Sequence, residues 1–331
     1  MYTKPYKSVV EQIALLVDRG MEVTDTKAAS ACLARIGYYR LSGYWYPFRS
    51  SRVSTNPLTG QQLLHPSTGK PQVVVEDDFR PGTTFQQVMD LYIFDKRLRL
   101  LLLDAIERIE VALRVDIALM IGDRDPWAHR DPNELHGWFS KKTDSNGDTE
   151  HKKWLTRLDQ MFGRSQEEFV KHFKTKYVGA QPPIWIAIEL WDFGMLSVFL
   201  SGMKMADQED LATKYGLPRA KLLTSTIRNI NNVRNICAHH SRLWNRSPSD
   251  QVSPPKPGEI TELDHLVNDK TAQTRIYASV AALQFLLRTI HPASTWGVRI
   301  KQHLATFPSS PHVNLSQAGF PRNWETLPLW V

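Results

Sequence analysis

The chain has 331 residues, 42% hydrophobic and 23% charged, a globular balance that excludes disordered and fibrous classes and leaves room for a sizeable core. Its 41 Lys and Arg against 34 Asp and Glu give a net charge of +7, a mild excess that favours an anionic partner such as nucleic acid. Two cysteines (Cys32 and Cys237), an opening MYTKPYKSVVEQ without a basic-then-apolar leader, and no apolar run near the ~20 residues of a membrane span argue against three classes: a secreted disulfide scaffold, a CxxC metal site and a helical membrane protein. The expected location is cytoplasmic.

Apolar positions recur at helical spacing almost throughout, so the expected fold class is all-α: a multi-helix bundle with long loops and aromatic-rich N-terminal helices. Val9, Ile13 and Leu16 mark a first helix closing near Gly20. Thr24 or Asp25 caps a second, running through Ala28, Cys32 and Ile36. Residues 37–49, GYYRLSGYWYPFR, are dense in aromatics. In this stretch Tyr44 and Arg40 have two readings, stacking on RNA bases with a cation beside them, or aromatic core with surface arginines. Residues 50–78, rich in Ser, Thr, Pro and Gly, read as a long excursion with room for a hairpin.

From Thr84 to about Ile121 the pattern is one long helix or two nearly continuous ones, with Thr84 and Gln87 spaced as a capping box. Asp104, Glu107, Glu110 and Arg114 share one face of it, Glu110 and Arg114 spaced as an i,i+4 ion pair. Residues 140–151 read as a polar loop, Pro182-Pro183 as a break before the apolar segment 184–200, and Leu217-Pro218 as the opening of another long helix. A flexible proline-rich loop is expected at 247–259 and a last apolar helix at Ala272–Ile290.

The chemistry concentrates in IRNINNVRNICAHHSRLWNR, residues 227–246. Placed on a helix, Leu223, Ile230, Val233, Cys237 and Trp244 form an apolar stripe. Arg228, Asn231, Asn232, Asn235, His239, Arg242 and Arg246 form the opposite face, with Arg234 and His240 on its flanks. A solvated face normally uses Lys and Glu. This one uses Asn, His and Arg, poor helix formers among them, whose planar forks and amides suit phosphates and base edges. Arg234 and His239 are five residues apart, the spacing of an RNase motif in which Arg precedes His by a few residues. Arg124/His129 and Arg130/His136 offer similar spacings, but beside Pro126 and Pro132. Five residues turn a straight helix by ~140°, so either the helix is distorted between Arg234 and His239 or two chains assemble the site, which favours a homodimer. Zinc binding by His239-His240 lacks an HExxH or Cys partner, and Cys237 falls on the apolar stripe, so neither a metal nor a cysteine nucleophile is expected.

RNICAHHSRLWNR closely resembles the signature of the Abi family of AbiD/AbiF-like abortive-infection proteins. Further matches occur in the family's order: YYRLSGYWYPFR at 38–49, LRLLLLDAIERIEVALR at 98–114, IWIAIELWDFGMLS at 184–197 and GFPRNW at 319–324. Departures are a longer excursion at 50–78 and Ala318 where a Met often precedes GFP. The resemblance implies one Abi-type domain over 1–331: an N-terminal helical and aromatic segment with a long loop (1–83), a HEPN-like helical core (84–291) and a C-terminal tail (292–331). It further implies a phage-defence toxin acting as a metal-independent HEPN endoribonuclease without cofactor, restrained by a small structured antitoxin RNA. Arg234 and His239 take the HEPN catalytic positions and Asn235 the polar position after the Arg. Arg228, Asn231, His240, Arg242, Arg246, Arg40 and Tyr44 are candidates for RNA contact, and Glu110 and Arg114 for support. Two other readings stand beside this one: a non-catalytic RNA-binding module on the same face, and a protein-interaction scaffold whose polar stripe is a dimer seam.

Overall fold

Capping chemistry starts several helices where the sequence places them. In a computed structural model describing residues 5–67 and 69–331, α1 (Val9–Asp18) opens on a Ser8–Glu11 capping box and α2 (Thr26–Ile36) on the Asp25 carboxylate, which accepts from Ala28 N–H. The aromatic segment forms α3 (Tyr38–Trp45). The excursion is a ribbon: β1 (Arg49–Val53) pairs antiparallel with β2 (Val73–Phe79), and the chain between them turns at Gly60 and Gly69, both with positive φ. Thr84 and Gln87 satisfy each other's backbone N–H groups at the head of α4, a single helix over Phe85–Gly122.

Then follow α5 (Gly137–Ser140), α6 (Glu150–Arg164), α7 (Glu168–Lys176), α8 (Ile184–Ala187), α9 (Phe193–Gly202), α10 (Met205–Lys214) and α11 (Ala220–Ala238). The chain closes with α12 (Lys270–Thr274), α13 (Ile276–Ile290) and α14 (Trp296–Leu304). Among the described residues the fold is all-α apart from one ribbon. Three sequence expectations shift. Pro218 lies before the first turn of α11 rather than in it, the last apolar helix is broken at Arg275, and the expected tail holds α14.

By internal contacts the chain forms two compact units, Met1–Leu98 with Gln302–Gln317, and Arg99–Lys301 with Ala318–Val331. The division falls inside α4, and residues 302–317 belong with the first unit. That unit buries Tyr44, Trp45 and Phe48 in its core, and the Tyr44 hydroxyl donates to Asp95. In the second unit α13 is buried on nearly every side from Ile276 to Leu287, so an apolar run that shows no clear amphipathic face becomes the central post. α11 packs on α9, α10 and α13, and Leu223, Ile230, Val233 and Cys237 of the predicted stripe are buried on it, joined by Ile227, while Trp244 of that stripe lies beyond the helix. Among the described residues no helix is long and apolar enough to cross a membrane, and no group of His, Cys, Asp or Glu could hold a metal ion.

Candidate functional site

The site is built on the C-terminal end of α11. The helix ends at Ala238, so residues 239–246 do not continue it as the periodicity predicts. His240 N–H donates to Cys237 O and Ser241 N–H to Ile236 O, both at 3.0 Å, and His240 takes φ 55°. This is the paired hydrogen-bond pattern of a Schellman cap, in which the left-handed position is usually glycine. A histidine there costs about 1 kcal/mol in backbone strain. His239 is the last residue placed by the helix, its N–H still donating to Asn235 O at 2.9 Å, so it stays ~140° around the axis from Arg234, and the chain leaves the helix only at His240. Arg99, buried, donates to Ser241 O, and Arg275 donates to Asn245 O, pinning the segment after the cap.

Arg234 is half-buried, while Asn235, His239 and His240 are exposed, and Arg234 Nη1 reaches Asn235 Oδ1 at 3.4 Å. Beneath them Arg114 and Glu110 pair at 2.5 Å, each side chain 18% exposed. Arg114 also donates to the Trp191 carbonyl at 2.6 Å and approaches Glu189. Burial raises the Glu110 pKa above the ordinary carboxylate value, against the pull of the Arg114 and Arg234 guanidiniums and with a push from Asp192 and Glu107. Arg234 therefore shares an electrostatic cluster with the i,i+4 pair on α4. A helix C-terminus disfavours an anion, so attraction of a phosphate here rests on the arginine side chains.

The other predicted residues divide. Arg228 is exposed and Asn231 half-exposed, about three and two turns before the cap, and both line a groove. Arg242 is half-buried and Arg246 exposed, beyond the helix rather than on its polar face. Arg40 is exposed on α3, in the first unit. Tyr44 is a correction: at 1% exposure and bonded to Asp95 it packs a core and offers no face to a base. Of the same aromatic segment, Tyr39 is the fully presented ring, at 92% exposure.

Part of the asparagine signal also has a structural explanation. Asn229 donates to the Asp250 carbonyl and Asn232 to Ser249 Oγ, both at 2.7 Å, while Ser253 N–H donates to Ser225 Oγ. The 247–259 loop is therefore tied along α11, with Pro248 and Pro255 buried, rather than loose. The rival Arg/His spacings are structural. Arg124 pairs with Asp207 and Glu134, Arg130 pairs with Asp159, His129 is fully buried and His136 caps α5.

Sequence reasoning missed Asp192, which caps α9 through Met195 N–H, pairs with Arg157 and contributes to the field at Glu110. Its signal was present: an Asp directly before the apolar run FGMLS is an N-cap pattern. No curated protein and no solved structure matches the chain. The family model described as Abi-like protein matches residues 31–245, well over half the chain and including α4, α9 and the whole α11 cap. On that match the chain belongs to the Abi-like protein family, and the membership supports a role in abortive infection as a defence against phage.

Proposed function

We propose that the protein is a metal-independent endoribonuclease, the toxic component of a phage-defence system, with its active centre at the α11 cap. The observation carrying this reading is the cluster of Arg234, Asn235 and His239 at a helix end set against the half-buried Glu110–Arg114 pair. RNA brings its own nucleophile, the 2′-OH. His239 takes the 2′-OH proton as the oxygen attacks the adjacent phosphorus, and Arg234 neutralises charge growing on the phosphorane oxygens. Asn235 orients the phosphate or the imidazole. The 5′-oxygen leaves with a proton, giving a 2′,3′-cyclic phosphate and a 5′-OH. One imidazole cannot be base and acid in the same instant, so the leaving-group proton comes from a second histidine, supplied by the facing copy in a homodimer. The exposed apolar residues Leu100, Val111, Val115 and Leu119 on α4 support such a dimer. The restraining partner is a small structured RNA, as the family resemblance implies.

The test is incubation of the purified protein with end-labelled RNA, with and without EDTA, followed by end-group mapping. Cleavage that survives EDTA, leaves cyclic phosphates, and disappears in Arg234→Ala and His239→Ala while RNA binding persists is the expected result. Cleavage abolished by EDTA, or equal cleavage of DNA, refutes the mechanism. Loss of binding in both variants, with no cleavage by the parent, assigns a grip in place of an enzyme.

A further inference from the structure

A groove of about 520 Å³ runs beside the α11 face, between residues of α5, α6, α9 and α11. This volume falls in the ~300–1,000 Å³ range of small-ligand sites, enough for one nucleotide and too little for a duplex. Its walls combine four features. Trp154 and Met195, both buried, form an apolar floor. Trp138 stands at the edge, 41% exposed, its indole N–H held by the Ser201 carbonyl at 3.2 Å, so the ring is a fixed platform rather than a free side chain. Arg228 reaches the rim from α11.

Asn231 supplies the fourth feature. Of the asparagines on α11, Asn229 and Asn232 spend their amides on the 247–259 loop. The Asn231 carboxamide lines the groove beside Gly194, with no hydrogen-bond partner among the described residues. A carboxamide offers a donor and an acceptor together, the pairing that reads the edge of a base. Aromatic platform, apolar floor, amide edge and peripheral guanidinium are what a splayed-out nucleobase needs, whereas a stacked base in a helix cannot enter.

The groove and the cap share α11. Asn231 and Asn235 are one helical turn apart, ~6 Å along the axis, and Arg157 of the groove pairs with Asp192, which contributes to the field at Glu110. We propose that this groove is a subsite for one unpaired base of single-stranded RNA next to the scissile phosphate, with Trp138 stacking on the base, Asn231 reading its edge and Arg228 holding a flanking phosphate. The proposal rests on the endoribonuclease reading, and its test separates the two.

In a His239→Ala background, which keeps the RNA whole, the affinity of fluorescein-labelled random-sequence single-stranded RNA is measured by anisotropy across a salt series. The same RNA annealed to its complement is measured in parallel. Trp138→Ala is expected to weaken single-strand binding about 10-fold, the lower range of a stacking loss, and Trp138→Phe to restore most of it. Asn231→Ala weakens it as well, Arg228→Ala lowers the salt slope by about 0.7, and none of these changes touches duplex binding. Unchanged single-strand affinity in Trp138→Ala and Asn231→Ala, with the parent protein still cleaving RNA, overturns the subsite and leaves the endoribonuclease reading intact. A parent protein that binds neither RNA form overturns both.

Discussion

Removing Arg114 tests whether the pair beneath the cap is a structural strut or a surface ornament. Its guanidinium serves Glu110 at 2.5 Å and the Trp191 carbonyl at 2.6 Å, and both charged side chains are 18% exposed. Breaking a fully buried pair costs ~3–5 kcal/mol, and residual solvent roughly halves that here. The lost charge-assisted bond to the carbonyl adds ~1.5 kcal/mol. Arg114→Ala should therefore destabilise the fold by about 3 kcal/mol, a fall in Tm of ~6–12 °C for a unit of this size. Urea unfolding followed by tryptophan fluorescence measures it, since Trp191 is part of the network. The decisive comparison is the cycle with Glu110→Gln. The double variant should be about 2 kcal/mol more stable than the sum of the single losses predicts, because a neutral amide left alone costs less than a stranded carboxylate. A loss below ~0.5 kcal/mol, or strict additivity, would place the pair among exposed ion pairs and remove the electrostatic argument for its support of Arg234.

Acid sensitivity should follow from His129. It is buried with neither ring nitrogen hydrogen-bonded, and burial pushes its pKa down to about 3. The unfolded chain takes up a proton near the ordinary value of ~6.5 that the folded chain refuses. Stability from this residue is thus full above pH ~6.5 and declines as pH falls toward 3, by up to ~1.4 kcal/mol per unit. Thermal melts of His129→Phe across that window should show a shallower acid slope than the parent, and parallel slopes would contradict the assignment. Gly202→Ala should destabilise by ~1–3 kcal/mol, because an added Cβ would collide with the buried Phe139 ring; a denaturation midpoint equal to that of the parent would count against it. Asn229→Ala removes the anchor to Asp250 and should cost ~1–2 kcal/mol while exposing the 247–259 loop to limited proteolysis, with cleavage there faster than in the parent. Unaltered proteolysis would mean that the buried prolines alone hold the loop.

Local chemistry and periodicity determined much of this protein. The caps at Asp25 and Thr84–Gln87, the length of α4, the Glu110–Arg114 spacing and the buried stripe of α11 all depend on neighbours within about four residues, and all are readable from the chain. What periodicity could not fix was where α11 stops. The pattern continues through Trp244, which is buried, but buried from a loop rather than a helix. The stop is set by a left-handed His240, a residue type with no strong signal for that conformation, and by Arg99 and Arg275 holding the following carbonyls from distant elements.

The same division runs through the candidate site. Unusual composition marked the polar face of α11 from the sequence, yet identical asparagines on it have different fates. Asn229 and Asn232 are used by the loop at 249–250, and only the folded chain shows that Asn231 is left open to the groove. Tyr44 and Tyr39 are equally aromatic neighbours on one helix, and burial against Asp95 versus solvent separates them. Residue type and spacing state what a side chain is able to do; long-range packing, which desolvates some groups and leaves others exposed, decides which of them is free to do it.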